Sequence, residues 1–242
     1  MMQKIREATR LLATNLVLFS SIILTVWLPG SILLVYLRLY VFPEATGGDE
    51  LRMFTQELRV SNAIEFAFSP LYIGAILYAA SRLKQGLQTT YRESMSHGAR
   101  RSFTLLITRL GAGFIVFFGL IVFIIPGIIL ALRFALIDSV VVLDNVEGTS
   151  ARKLSTMITK GKRWNILRVI LLTFVGVFLA AFLMGFVLYL PLSFIGQYEN
   201  FIIAVIYECL INILLVIPNI VLFLFYWEAK SQQIAPQHED NQ

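Results

Sequence analysis

Apolar residues along this chain gather into long runs. Five of them, 11–37, 62–81, 103–125, 165–190 and 200–227, are long enough to cross a bilayer. A helix needs about 20 mostly apolar residues to span roughly 30 Å of hydrocarbon, where it must satisfy its own backbone polar groups. Pro29-Gly30 reads as a kink inside the first run, Pro70 lies inside the second, and Pro126-Gly127 closes the third. The segment after Pro126 (IIPGIILALRFALIDSVVVLDN) is shorter and carries Arg133 and Asp138. It is a short sixth span, a re-entrant half-helix, or the continuation of a bent third span.

Charge narrows that choice. Lys and Arg number 3 in the N-terminal flank, 3 in 38–59, 6 in 82–109 and 6 in 152–168. Positive charge accumulates on cytoplasmic loops, which places the N-terminus, 82–109, 152–168 and the tail in the cytoplasm, and loops 38–61 and 191–199 outside. Residues 82–109 and 152–168 then share a side, so 103–143 goes in and comes back, with Pro126-Gly127 as the turn. The count is even: six spans, or five plus a re-entrant hairpin. The first run is too long for a secretory signal and no A-x-A-like cleavage site follows it, so it reads as an uncleaved span. Residues 1–230 form one multi-span domain, and the polar residues 231–242 read as a disordered tail.

Composition agrees with this layout. Hydrophobic residues make up 57% and charged residues 14% of the 242, with mean hydropathy +0.76, against about 45–50% and about 25% in soluble domains. Such a chain lacks the polar residues to cover a soluble fold. Its 19 Phe, 9 Tyr and 3 Trp exclude disorder. The single Cys209 leaves no intrachain disulfide, and His97 and His238 leave little for a metal. No P-loop, dinucleotide fingerprint, H-E-x-x-H or G-x-S-x-G occurs, and Gly111-Ala112-Gly113 reads as helix entry. No enzyme, metal or cofactor is expected. The pI near 9.4 reflects topology and anionic lipid rather than nucleic acid.

Residues 149–164 (TSARKLSTMITKGKRW) predict a short interfacial helix. Ala151, Leu154, Met157, Ile158 and Gly161 fall on one side, facing acyl chains, while Arg152, Lys153, Lys160 and Arg163 fall on the other, facing headgroups. Gly148 and Thr149 supply the break and N-cap. Such an element is either a headgroup-binding device or an orientation anchor, and membrane lipids with anionic headgroups are the expected partner.

Within the apolar runs lie Glu65, Arg133, Asp138 and Glu208. An isolated charge at the bilayer centre costs about 2.5–3.5 kcal/mol on insertion scales, so each needs a partner, an interface or water. Glu208 is the expected partner of Arg133. The pair either fixes helix packing or, with Asn212 and Asn219, forms a site for a polar solute or proton. Ala75/Ala79 and Ala181/Gly185 have the small-xxx-small spacing that lets helices approach closely.

Ile125-Pro126-Gly127-Ile128 with Arg133, then Val140-Val141-Val142-Leu143-Asp144, then Ser155-x5-Gly161-Lys162-Arg163-Trp164 form one constellation, and Phe225-Tyr226-Trp227-Glu228 closes the last span. These residues resemble the multi-span domain of membrane glycerophosphodiester phosphodiesterases and of related stand-alone bacterial inner-membrane proteins. The resemblance implies a bacterial inner-membrane location and six spans. It carries no phosphodiesterase activity, because the catalytic domain's acidic and His residues have no counterpart here. The expected fold is an all-α integral membrane bundle of about six helices plus an amphipathic helix on the cytoplasmic face. The expected role is non-enzymatic, structural or accessory in envelope or lipid homeostasis, around Pro126, Gly127, Arg133, Asp144, Ser155, Gly161, Arg163 and Trp164. The rival role is a small transporter or channel using Arg133 and Glu208.

Overall fold

The structure, a computed structural model, describes residues 2–195 and 200–234. Among these it contains only helices, connected by short turns: α1 (Met2–Thr14), α2 (Leu16–Tyr36), α3 (Phe42–Thr46), α4 (Glu50–Lys84), α5 (Tyr91–Val122), α6 (Ile124–Arg133), α7 (Ile137–Leu143), α8 (Gly148–Thr159), α9 (Arg163–Ile195), α10 (Phe201–Leu214) and α11 (Val216–Ile234). Six helical stretches among the described residues are long and apolar enough to cross a membrane, so the chain is an all-α bundle built as a multi-pass membrane protein. One of the six is the short Ile124–Leu143.

Several boundaries differ from the sequence reading. The first apolar run does not begin at residue 11. Asn15 breaks the chain there, and α1 is a separate helix that packs Ala8 and Leu12 inward. Pro29 does not end its helix, in keeping with the expectation: α2 continues through it, and a π turn at Leu37–Val41 carries the chain into α3. Residues 50–61, expected as loop, are helical: Asp49 caps α4 by accepting the Arg52 N–H at 3.1 Å. The 35 residues of α4 rise about 52 Å at 1.5 Å each, well beyond the hydrocarbon thickness. Residues 191–195 continue α9 and 231–234 continue α11. The rest of the expected tail lies outside the described residues.

The hairpin forms, with its bend at Phe123 rather than at Pro126-Gly127. Phe123 is extended and separates α5 from α6, which puts Pro126 third in α6. In a first turn the missing proline N–H costs nothing, since that position has no intrahelical acceptor. At Leu215, three residues before Pro218, the chain makes a milder interruption between α10 and α11, since Leu215 keeps right-handed helical dihedrals and the two helices form one candidate span. The return strand of the hairpin lies against α5 at three levels. Gly127 abuts Leu120, Asp138 meets Arg109, and the Val142 carbonyl meets the His97 ring at 3.2 Å.

Ion pairs gather the chain ends and both basic segments at one end of the bundle. Lys4 pairs with Glu228, Lys84 with Glu7, and Lys230 with Asp144 at 2.7 Å. Lys162 donates to the Gln232 side chain at 2.7 Å. Away from this end, large apolar side chains of α5 and α9, such as Phe114, Phe118, Phe178 and Phe182, point outward. They form the belt that acyl chains would cover.

Candidate functional site

Between the spans lies a cavity of about 510 Å³ whose wall combines polar and aromatic groups. Helix α4 supplies Ser61, Asn62, Glu65 and Tyr72, α10 supplies Glu208 and Asn212, and α11 supplies Asn219. Arg109 of α5 reaches it, and Trp27 and Phe174 bring rings from α2 and α9. Leu215 and Pro218 also line it, so the helix break sits at the cavity wall. There Asn219 donates its side-chain amide to the Leu215 carbonyl at 3.2 Å, and Asn212 does the same to the Glu208 carbonyl at 2.9 Å.

Three charge clusters surround this space. Arg38 of the π turn bridges Glu57 and Glu208, the latter at 2.6 Å. Arg109 clamps both oxygens of Asp138, from Nε at 2.7 Å and Nη2 at 2.5 Å, and donates from Nη1 to the Ser69 hydroxyl at 3.0 Å. Two parallel N–H···O bonds make this the strongest geometry a guanidinium offers a carboxylate. Glu65 has no cation among its partners in the described residues and accepts from the Tyr72 hydroxyl. The clusters together hold two arginines against four carboxylates.

The expected pairing of Arg133 with Glu208 is not what forms. Glu208 is taken by Arg38, a residue that the charge count assigned to an outside loop. Arg133 ends α6, and its carbonyl accepts the Ser155 hydroxyl at 2.8 Å and the Thr159 hydroxyl at 3.4 Å. Glu208, Asn212 and Asn219 do share a cavity, but the arginine facing it is Arg109. Arg109 was missed because the basic tally of 82–109 counted it as a loop residue. Its position inside the continuous helix Tyr91–Val122, one of the spans, is the signal that would have found it, with Asp138 as the obvious counter-charge.

Several of the residues singled out from sequence lie along α8 and the turn that follows it. Gly161 holds a left-handed φ of +78° in the turn between α8 and α9, so α8 stops at Thr159 instead of running to Trp164. Gly148 has φ +57° and begins α8, with Glu147 rather than Thr149 at the N-cap. Ala151, Ser155 and Ile158 of α8 are buried in the protein rather than in lipid. Met157 and Trp164 are 65% and 64% exposed, beside Lys153, Lys160 and Arg163 in sequence. Gly111 and Gly113 lie within α5 rather than at a helix entry, and the Arg152 guanidinium lies over Gly111. His97 is helical, not in a loop, and stacks on Tyr78 with centroids 4.3 Å apart. Small residues do permit close approach: Tyr207 packs on Gly185 and donates to the Ala181 carbonyl at 3.3 Å.

Fold and cavity together define a multi-pass helical membrane protein with a polar chamber between its spans. Compared with known proteins, the chain matches no family model, no curated protein and no solved structure. The resemblance drawn from residues 125–164 and 225–228 therefore stands on those residues alone.

Proposed function

We propose that this chain is a non-enzymatic membrane protein that binds a polar solute in the chamber between its spans and passes it across the bilayer. The observation carrying this reading is the cavity itself, lined by Glu65, Arg109, Glu208, Asn212 and Asn219 at the break between α10 and α11. Charged groups inside a membrane are costly and mark substrate or ion pathways, and transporters place such sites where helices are interrupted. The end holding both basic segments faces the cytoplasm of a bacterial inner membrane, following the positive-inside rule.

Flux measurements on the full chain in liposomes test the reading. Asn212→Phe fills the chamber and abolishes solute flux, while Arg133→Gln, outside it, leaves flux intact. Flux that survives Asn212→Phe, or none for any ion or small solute, overturns the proposal.

A second reading is favoured by the outward Met157 and Trp164. In it the turn after α8 seats in an anionic headgroup layer and the chain serves envelope or lipid homeostasis as an accessory. Each basic residue at such a surface adds about 1 kcal/mol. Binding to phosphatidylglycerol that is insensitive to Lys153→Gln with Lys160→Gln counts against it.

A further inference from the structure

The geometry points to an organic ammonium ion as the occupant of the chamber, an assignment that rests on its reading as a solute site. Charge balance comes first. Glu65 and Glu208 line the chamber with one cation, Arg109, and Asp138 behind the wall already neutralises that cation, while Arg38 outside the wall is shared between Glu208 and Glu57. Both arginines are committed: Arg38 to two carboxylates, and Arg109 to Asp138 and Ser69. Arg38 keeps an Nε–H unpartnered among the described residues but does not line the chamber, and Arg109, which does, is held by Asp138 and Ser69. An added anion would enter a space already carrying an excess of carboxylate, whereas a cation would offset it. Low surrounding polarity strengthens both effects.

Shape then distinguishes among cations. No group of three or more His, Cys, Asp or Glu among the described residues converges closely enough to hold a metal ion. Glu65 and Glu208 line the wall from two different helices, α4 and α10, an arrangement that suits an organic cation large enough to meet both. The volume of about 510 Å³ falls within the range of about 300–1,000 Å³ typical of small-molecule pockets. The apolar part of the wall sets three rings, Trp27, Tyr72 and Phe174, among aliphatic side chains. Aromatic faces attract cations through the ring quadrupole, and cages of such rings beside carboxylates are how proteins hold quaternary ammonium groups. Trp27 is only 5% exposed, so its ring is held in place before any ligand arrives.

An ammonium group reaches the chamber either on a free solute or on a lipid headgroup. The test uses the full chain in nanodiscs of phosphatidylglycerol, which has no amine. Tetramethylammonium chloride is titrated against sodium chloride at equal ionic strength, with thermal unfolding as the readout. The expected result is a saturable rise in midpoint with tetramethylammonium alone. Glu65→Gln weakens it at least about tenfold, and Phe174→Ala, at a half-exposed ring and harmless to folding, weakens it about 3- to 30-fold. Phosphatidylethanolamine in the disc that competes away the response assigns the headgroup as the source, and no competition assigns a free solute. A wild-type midpoint that does not respond, or full affinity in both variants, overturns the proposal. Should mannitol or acetate stabilise the protein instead, in a manner lost in Asn212→Phe, the ammonium assignment fails and the solute site stands. Should no solute act, both fail.

Discussion

Replacing Gly98 by alanine places a methyl carbon where α4 already is. That carbon would lie 2.7 Å from the Ala75 backbone nitrogen, 3.1 Å from the Ala75 Cβ, and closer still to the Leu71 carbonyl oxygen. Two of the three obstacles are backbone, so no rotamer change relieves them, and α4 and α5 must separate. From the other side, a Cβ on Gly74 would sit 3.0 Å from the Gly98 Cα. The two helices touch backbone to backbone at this crossing. Overpacking costs about 1–3 kcal/mol, and the rigid neighbours put this case at the upper end. Alanine returns about 1 kcal/mol of helix propensity over glycine, leaving about 2 kcal/mol of net loss. For a chain of this size that lowers the unfolding midpoint by about 4–8 °C. Gly113 of the same helix is the control, because nothing lies within 4 Å of its Cβ position. Gly113→Ala keeps the propensity gain and raises the midpoint by about 2–4 °C. Thermal unfolding of the detergent-purified variants reads both. A Gly98→Ala protein as stable as the parent, or two variants shifting in the same direction, would refute the close crossing.

Breaking the Arg109–Asp138 clamp from one side, by Arg109→Leu, leaves a partly buried carboxylate without its counter-charge and costs about 2–3 kcal/mol, below the roughly 3–5 kcal/mol of a fully buried pair. Arg109→Leu with Asp138→Leu recovers most of that, as a double-mutant cycle in denaturant would show. Arg92→Cys and Lys160→Cys, each in a Cys209→Ser background, react with a membrane-impermeant maleimide from the same side of sealed vesicles, and labelling from opposite sides would dismantle the hairpin. Ser155→Ala removes the 2.8 Å bond to the Arg133 carbonyl and lowers stability by about 1 kcal/mol. An unchanged midpoint would mean that Thr159 alone suffices to close the end of α6.

Spans, their even number and the doubled-back segment were legible because lipid imposes one simple demand: long apolar helices, with cations held back on one side. Side-chain partnerships were not, for a physical reason. The residue that meets Glu208 is 170 positions away, and sequence depth along a span does not reveal which helices become neighbours. Arg133 and Arg109 both sit near the ends of apolar runs. What separates them is what meets the guanidinium: Arg109 clamps Asp138, whereas the Arg133 Nε–H is buried without a partner among the described residues and α8 engages the Arg133 backbone carbonyl through Ser155 and Thr159. The amphipathic pattern of 149–164 was read correctly as two-faced but assigned to the wrong solvent, since a buried protein surface and an acyl layer select the same residues at Ala151 and Ile158. Pro126 lies three residues beyond the bend, in the first turn of the helix that follows, whereas Pro29 and Pro70 lie inside continuous helices. The turn at Leu215, three residues before Pro218, lies within a single candidate span, Phe201–Gln232, and Glu208 and Asn212 before it line the chamber together with Asn219 after it.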